Sequence, residues 1–158
     1  MTDLQVRPAI PSDAGAIERV GRETWPSTYA FAGEDYIAVG LDRWWSEEAV
    51  LRGIETTRTV VAEVGDTLVG MGNIDLRPER PTIWKLYVLP GHQGIGAGHA
   101  LMERLLAEAP LGSEVLLEYT DGNARAAGFY LRHGFVELRR DVPEVPGWPD
   151  QVWMVRRP

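Results

Sequence analysis

The sequence contains no cysteine, so it has neither a disulfide nor a thiol nucleophile. That absence suits a cytoplasmic protein without compelling one. Long apolar runs are missing too: none approaches the roughly 20 residues that a membrane helix needs. The opening Met1-Thr2-Asp3-Leu4 lacks the basic-then-apolar order of a signal peptide. A soluble chain with no membrane attachment is expected. Positive charge is scarce, with 16 Lys and Arg against 23 Asp and Glu and a net charge of −7. Phosphate backbones are bound by clustered Lys and Arg that release counterions, so nucleic acid is not an expected partner. An acidic protein favours cationic partners, a free amine among them. Only three histidines occur and none lies in an HExxH pattern, which argues against a zinc centre, so no metal is expected. No G-x-S-x-G marks a serine hydrolase.

The 158 residues, 44% apolar and 25% charged, suit one globular domain spanning 1–158. Leu4 to Arg7 reads as a short strand. Ser12 is a plausible N-cap for a helix whose Ala14, Ile17, Val20 and Thr24 share a face, running to about Trp25 before Pro26 ends it. Tyr29 to Glu55 holds two short helices separated near Gly40. Arg58 to Glu63 and Thr67 to Leu76 form an antiparallel pair joined at Gly65-Asp66. Ile83 to Leu89 is the next strand, and a helix from Gly96 is closed by Pro110 and Gly112. Glu114 to Tyr119 is a further strand, and Asp121-Gly122-Asn123 turns it into a helix reaching His133, where Gly134 supplies the left-handed stop. Phe135 to Arg139 and Val152 to Arg156 are the last strands, joined by a loop stiffened by three prolines.

The most informative stretch is Trp84 to Met102. A strand stops at Pro90-Gly91 and a helix starts among Gly94, Gly96 and Gly98. Glycines there remove side chains from the first turn, so unpaired N–H groups and the helix dipole can close on an anion. A Walker loop is excluded because no Lys follows the glycines, and a G-x-G-x-x-G fingerprint fails from both Gly94 and Gly96. What fits is Gln93-x-x-Gly96-x-Gly98. Downstream, Asn123-x-x-Ala126-x-x-Phe129-Tyr130 is followed by Gly134-Phe135. Asn123 and Tyr130 lie two helical turns apart, so one ligand can touch both.

On these two motifs the chain resembles the GNAT superfamily of acetyl-CoA-dependent N-acyltransferases. The resemblance implies a mixed α/β fold, a mostly antiparallel sheet flanked by helices, with a splayed parallel strand pair. It implies acetyl-CoA as cosubstrate and an amine acceptor, which attacks the thioester directly in a ternary complex. Leu86 and Val88 are implied to offer their backbone to pantetheine. Gln93, Gly94, Gly96, Ala97 and Gly98 are implied to hold the pyrophosphate, with Asn123 beside the pantetheine arm. Val88 N–H is the implied oxyanion donor and Tyr130 the implied general acid toward the sulfur. Arg125 or Arg132 could reach the adenosine phosphate, a solvated place on the helix surface being the alternative. The base is left open between Asp75 and Glu118, with a water route, His92 and His133 behind them. Trp25, Tyr29, Trp44 and Trp45 read as core and wall rather than a cage, and Glu34 and Asp35 as acidic surface. The resemblance makes a homodimer an open expectation. A small primary amine is the leading acceptor; a protein N-terminus or lysine, or a non-catalytic acyl-CoA-binding module, are the alternatives.

Overall fold

The computed structural model describes residues 3–158. Strands β1 (Leu4–Pro8), β2 (Arg58–Val64), β3 (Thr67–Asp75), β4 (Thr82–Val88), β5 (Val115–Thr120), β6 (Val136–Asp141) and β7 (Gln151–Arg156) form one sheet. Their order across it is β1-β2-β3-β4-β5-β7-β6. Every neighbouring pair is antiparallel except β4 with β5. Helices α1 (Ala14–Thr28), α2 (Glu34–Trp45), α3 (Glu47–Thr56), α4 (Ala97–Glu108) and α5 (Ala124–Arg132) complete the α/β architecture that the motifs imply.

Two apolar layers enclose the sheet. Leu101, Met102 and Leu105 of α4 pack on Val60, Ala62 and Ile74, while Ile17, Val20 and Trp45 of α1 and α2 pack on Val61, Leu68 and Met71. Strands β2 and β3 are therefore covered on both faces, which is why they read as nearly unbroken apolar runs.

Three local expectations are corrected. Helix α1 does not end at Pro26 but continues to Thr28, with Tyr29 N–H bonded to the Trp25 carbonyl at 2.9 Å. The lost bond would have ended on the carbonyl of Arg22, and both Arg22 and Pro26 face water, which satisfies it instead. Ser12 is not the N-cap: a 3-10 turn, Pro11–Asp13, precedes α1, and Asp13 accepts from Ile10 N–H at 2.8 Å. The break between the short helices falls at Ser46, whose hydroxyl accepts from Ala49 N–H at 3.2 Å, and not near Gly40. Gly40 lies inside α2 because the Trp25 ring of α1 rests on it, as the Trp45 ring of α2 rests on Gly21 of α1. The two helices trade a tryptophan for a glycine.

The parallel pair is brief, Thr82 opposite Leu116 and Ile83 opposite Leu117. Beside it, the register between β3 and β4 skips Trp84, since Ile74 faces Ile83 while Asn73 faces Lys85. A bulge of this kind bends its strand. From Trp84 onward β4 keeps its pairing with β3 while β5 keeps β7, and a wedge opens between them.

Candidate active site

The wedge leads into a cleft of about 950 Å³ between β4, the end of β5, the N-terminus of α4, the C-terminal end of α1 and α5. Along β4 the backbone alternates. Leu89 N–H is bonded to Val69 of β3 at 2.8 Å, so the polar groups of Val88, and of Leu86 before it, face the wedge. The Val88 carbonyl accepts from Gln93 Nε2 at 3.1 Å, and Gln93 in turn accepts from Arg125 of α5. Gln93 thus ties the glycine turn to both walls of the cleft.

Gly94 and Gly96 have φ of +89°, the left-handed region that glycine enters without strain. A Cβ at Gly94 or Gly96 would project into open space. The helix cap Gly96 offers no side chain, and the first intrahelical bond runs from Ala100 N–H to Gly96 at 3.0 Å. The N–H groups of Ala97, Gly98 and His99 therefore lie ahead of the helical ladder. The turn fits a diphosphate: exposed main-chain donors, a helix dipole and no side chain in the way.

Asn123 caps α5, its Oδ1 accepting from Ala126 N–H at 3.2 Å, while its residue lines the cleft. Tyr130 lies two turns on, its ring packed against Tyr119, Phe129 and Phe135. Among the described residues its hydroxyl has no hydrogen-bond partner, unlike those of Tyr29, Tyr87 and Tyr36. Burial pushes that hydroxyl well above its ordinary pKa, with nearby Tyr29 adding to the rise, so it carries its proton at neutral pH. Tyr29 and Tyr87, which also line the cleft, share a hydrogen bond of 2.8 Å between their hydroxyls. Burial raises both, Tyr29 to about 12. A second hydroxyl pair, Tyr36 with Thr120 at 2.7 Å, lies on the α2 side. None of these tyrosine contacts is legible from spacing, because each joins segments far apart in the chain.

The two carboxylates weighed as bases are separated by the fold. Glu118 lines the cleft, and burial raises its pKa, Asp141 pushing further up and Arg139 back down. Asp75 is outside the lining residues. Its oxygens accept from Arg77 at 2.9 Å twice and from Trp84 Nε1 at 3.3 Å, and the Arg77 guanidinium holds its pKa down to about 2. A carboxylate so engaged is a poor base. Its depressed pKa stabilises the fold above the unfolded value of 3.8, and that contribution fades as pH falls toward about 2. With Arg77 exposed to solvent, Asp75→Asn should cost about 1–2 kcal/mol at pH 7. In urea titrations the deficit should vanish by about pH 2.

His133 Nδ1 meets the Phe129 carbonyl at 2.9 Å, a helix-end role, and its Nε2 meets His99 Nδ1 at 3.0 Å at the cleft rim. His92 is absent from the lining, and its Nδ1 is buried without a partner among the described residues. Arg125 and Arg132 both line the cleft. Trp25 and Trp45 are core, at 7% and 0% exposure, and Tyr29 is both core and wall. Trp44 departs from the expected place in core and wall and is exposed on the surface, where Glu34 and Asp35 also lie.

Residues 17–135 match the acetyltransferase (GNAT) family. No curated protein matches the sequence. Among solved structures, the PaiA N-acetyltransferase of Thermoplasma acidophilum in complex with coenzyme A superposes with a TM-score of 0.83 at 22% identity, covering 99% of each chain. An acetyltransferase from Thermus thermophilus gives 0.73 at 26% identity over 98% of this chain and 97% of its own. The ribosomal-protein-S18-alanine N-acetyltransferase of Escherichia coli gives 0.76 at 20% identity over 98% and 93%. With the glycine turn, the splayed strands and this match over most of its length, the chain belongs to the acetyltransferase (GNAT) family.

Proposed function

We propose that the protein is an N-acetyltransferase that moves the acetyl group of acetyl-CoA to the primary amine of a small molecule, by direct attack in a ternary complex. The observation that carries this reading is the unpartnered Tyr130 hydroxyl, which shares a cleft with the free main-chain donors of β4 and of the glycine turn. In this reading Gln93, Gly94, Gly96, Ala97 and Gly98 hold the diphosphate. Leu86, Val88 and Asn123 align the pantetheine arm, and Val88 N–H meets the charge that builds on the thioester oxygen. Tyr130 donates toward the departing sulfur. A relative of the same fold was crystallised with coenzyme A, which supports the choice of carrier.

The amine must lose a proton, because at a pKa near about 10 it is mostly protonated at neutral pH. Glu118 is the residue we assign to receive it, directly or through water. Its raised pKa means the carboxylate is costly in the fold: stability is greatest below the unfolded value and falls as pH rises through the folded one. Glu118→Gln should therefore leave stability at pH 7 equal or higher while lowering kcat about 100-fold. Urea unfolding and steady-state rates on one preparation check both halves. A variant that loses turnover only in proportion to folded protein removes Glu118 from the base role.

A small acceptor is favoured by a tie behind the cleft wall, where Tyr36 of α2 packs against the lining residue Tyr29. The loop between β6 and β7 is pinned to α2 by Arg43 and Glu144 at 3.2 Å and by the Trp148 ring standing edge-on to Tyr36. A peptide laid between this loop and α2 would have to part these contacts. Thiol release from acetyl-CoA, screened against polyamines, amino acids, aminoglycosides and short peptides, tests the reading. Turnover by small amines supports it. Turnover by peptides alone replaces the acceptor class, and binding without release across the panel leaves a non-catalytic module.

A further inference from the structure

Of the 16 Lys and Arg residues, only Lys85 is a lysine. The guanidinium of arginine does not deprotonate in proteins, so Lys85 is the one side chain in the molecule that can present a neutral amine for acylation. It sits on β4 beside Leu86 and lines the cleft. Its Nζ donates to the Trp44 carbonyl at the C-terminal end of α2 and lies 4.1 Å from the centre of the Trp45 ring. Among the described residues no carboxylate pairs with it. Burial without a counterion pulls its pKa down to about 8.

A purely structural cation at this place has an obvious alternative. Among the described residues the other two cations stacked on tryptophan rings are both arginines, Arg43 over Trp44 and Arg139 over Trp153. Arginine makes ring and carbonyl contacts at least as well as lysine. The one property that only lysine brings is a nitrogen that can lose its proton and act as a nucleophile.

We propose that Lys85 is a self-acetylation site: with acetyl-CoA in the cleft and no acceptor present, its neutral Nζ attacks the thioester carbon. The C–N bond forms as the C–S bond breaks. Sulfur leaves as the thiolate and takes a proton, Nζ gives one up, and the products are an acetamide on Lys85 and the free thiol of CoA. No further reactant is consumed. Rotation about the flexible four-carbon stem carries Nζ off the Trp44 carbonyl and into the cleft, where the acetyl group replaces the ammonium. The modified chain loses its contact charge on Trp45 and has the acceptor end of the cleft partly filled, so it turns over acceptor more slowly.

This inference rests on the acetyl-CoA reading, and the test separates the two. The intact protein is incubated with acetyl-CoA alone, its mass is followed by mass spectrometry, the label is mapped by peptide digestion, and binding is measured in parallel by calorimetry. The expected result is the mass of one acetyl group, added at a rate that saturates with acetyl-CoA and mapping to Lys85. It should be missing in Lys85→Arg and at least about tenfold slower on the urea-unfolded chain, where no bound geometry aids attack. Binding heat with an unchanged mass overturns self-acetylation and leaves the acetyltransferase reading intact. So does a label confined to the N-terminal amine, or equal labelling of folded and unfolded protein. Absence of binding heat overturns both.

Discussion

Tyr130→Phe should lower kcat about 100-fold, equivalent to about 2.7 kcal/mol of barrier, while changing the affinity for acetyl-CoA by no more than about twofold. The substitution removes one oxygen. The ring keeps its packing against Tyr119, Phe129 and Phe135, so the wall of the cleft stays in place. The hydroxyl makes no hydrogen bond within the described chain, so its loss strands no partner, and stability should hold or rise slightly. What disappears, in the proposed role, is a donor toward charge that exists only as the C–S bond breaks. Burial raises the pKa of Tyr130, which guarantees the proton is present but makes complete transfer to a thiolate of pKa about 8.5 unfavourable. In the proposed role the donor would therefore act mainly as a hydrogen bond to the developing thiolate. Rates with acyl carriers of more acidic thiols provide the check. As the leaving sulfur needs less help, the penalty of the substitution should shrink. Equal turnover by wild type and variant removes Tyr130 from the reaction.

The parts of the site that come from short segments were legible in the sequence. Gly94 and Gly96 adopt the positive φ that a turn into an uncapped helix requires. Asn123 caps α5 through a contact three residues away. Both are decided by neighbours in the chain, so spacing reveals them. The positions of the strands along the chain also followed, because most of their runs are bounded on at least one side by Gly, Pro or Asp.

Residues whose role depends on distant partners were not legible. Asp75 and Glu118 look alike as letters. What separates them is Arg77 and Trp84 folding onto one and the wedge opening beside the other. Tyr29 and Tyr87 are 58 positions apart, and only the packing of α1 over β4 brings their hydroxyls together. Lys85 stands within a strand whose apolar letters hide it, and its partial burial comes from Trp44 and Trp45 at the far end of α2. Gly40 was misread for the same reason. Glycine usually weakens a helix, so a break was expected where the fold instead needed room for a ring.

That room leads to the second large effect. Gly21→Ala and Gly40→Ala should each destabilise the protein by about 3 kcal/mol or more. A Cβ built on Gly21 falls 2.0 Å from the Trp45 ring, and one on Gly40 falls 2.0 Å from the Trp25 ring. Both rings are buried, at 0% and 7% exposure, so neither can swing aside without opening the layer between α1, α2 and the sheet. The helix gains about 1 kcal/mol from Gly→Ala by propensity, which the clash must exceed. Gly53→Ala in α3 isolates that gain, because its Cβ meets only the Asn73 side chain at 3.9 Å; it should be neutral or stabilising by up to about 1 kcal/mol. Urea unfolding of the three variants orders them. Pairing Gly21→Ala with Trp45→Leu then tests the cause, since removal of the ring should recover about 1–2 kcal/mol of the sum of the single losses. Strict additivity would mean that the ring is not what the new methyl meets. The functional consequence follows from where α1 ends. Its last turn and the residue after it bring Thr24, Ser27 and Tyr29 to the cleft, whereas the glycine turn proposed to hold CoA hangs from β4 and α4. The folded fraction of either glycine variant should therefore bind CoA normally and show a raised KM for the amine.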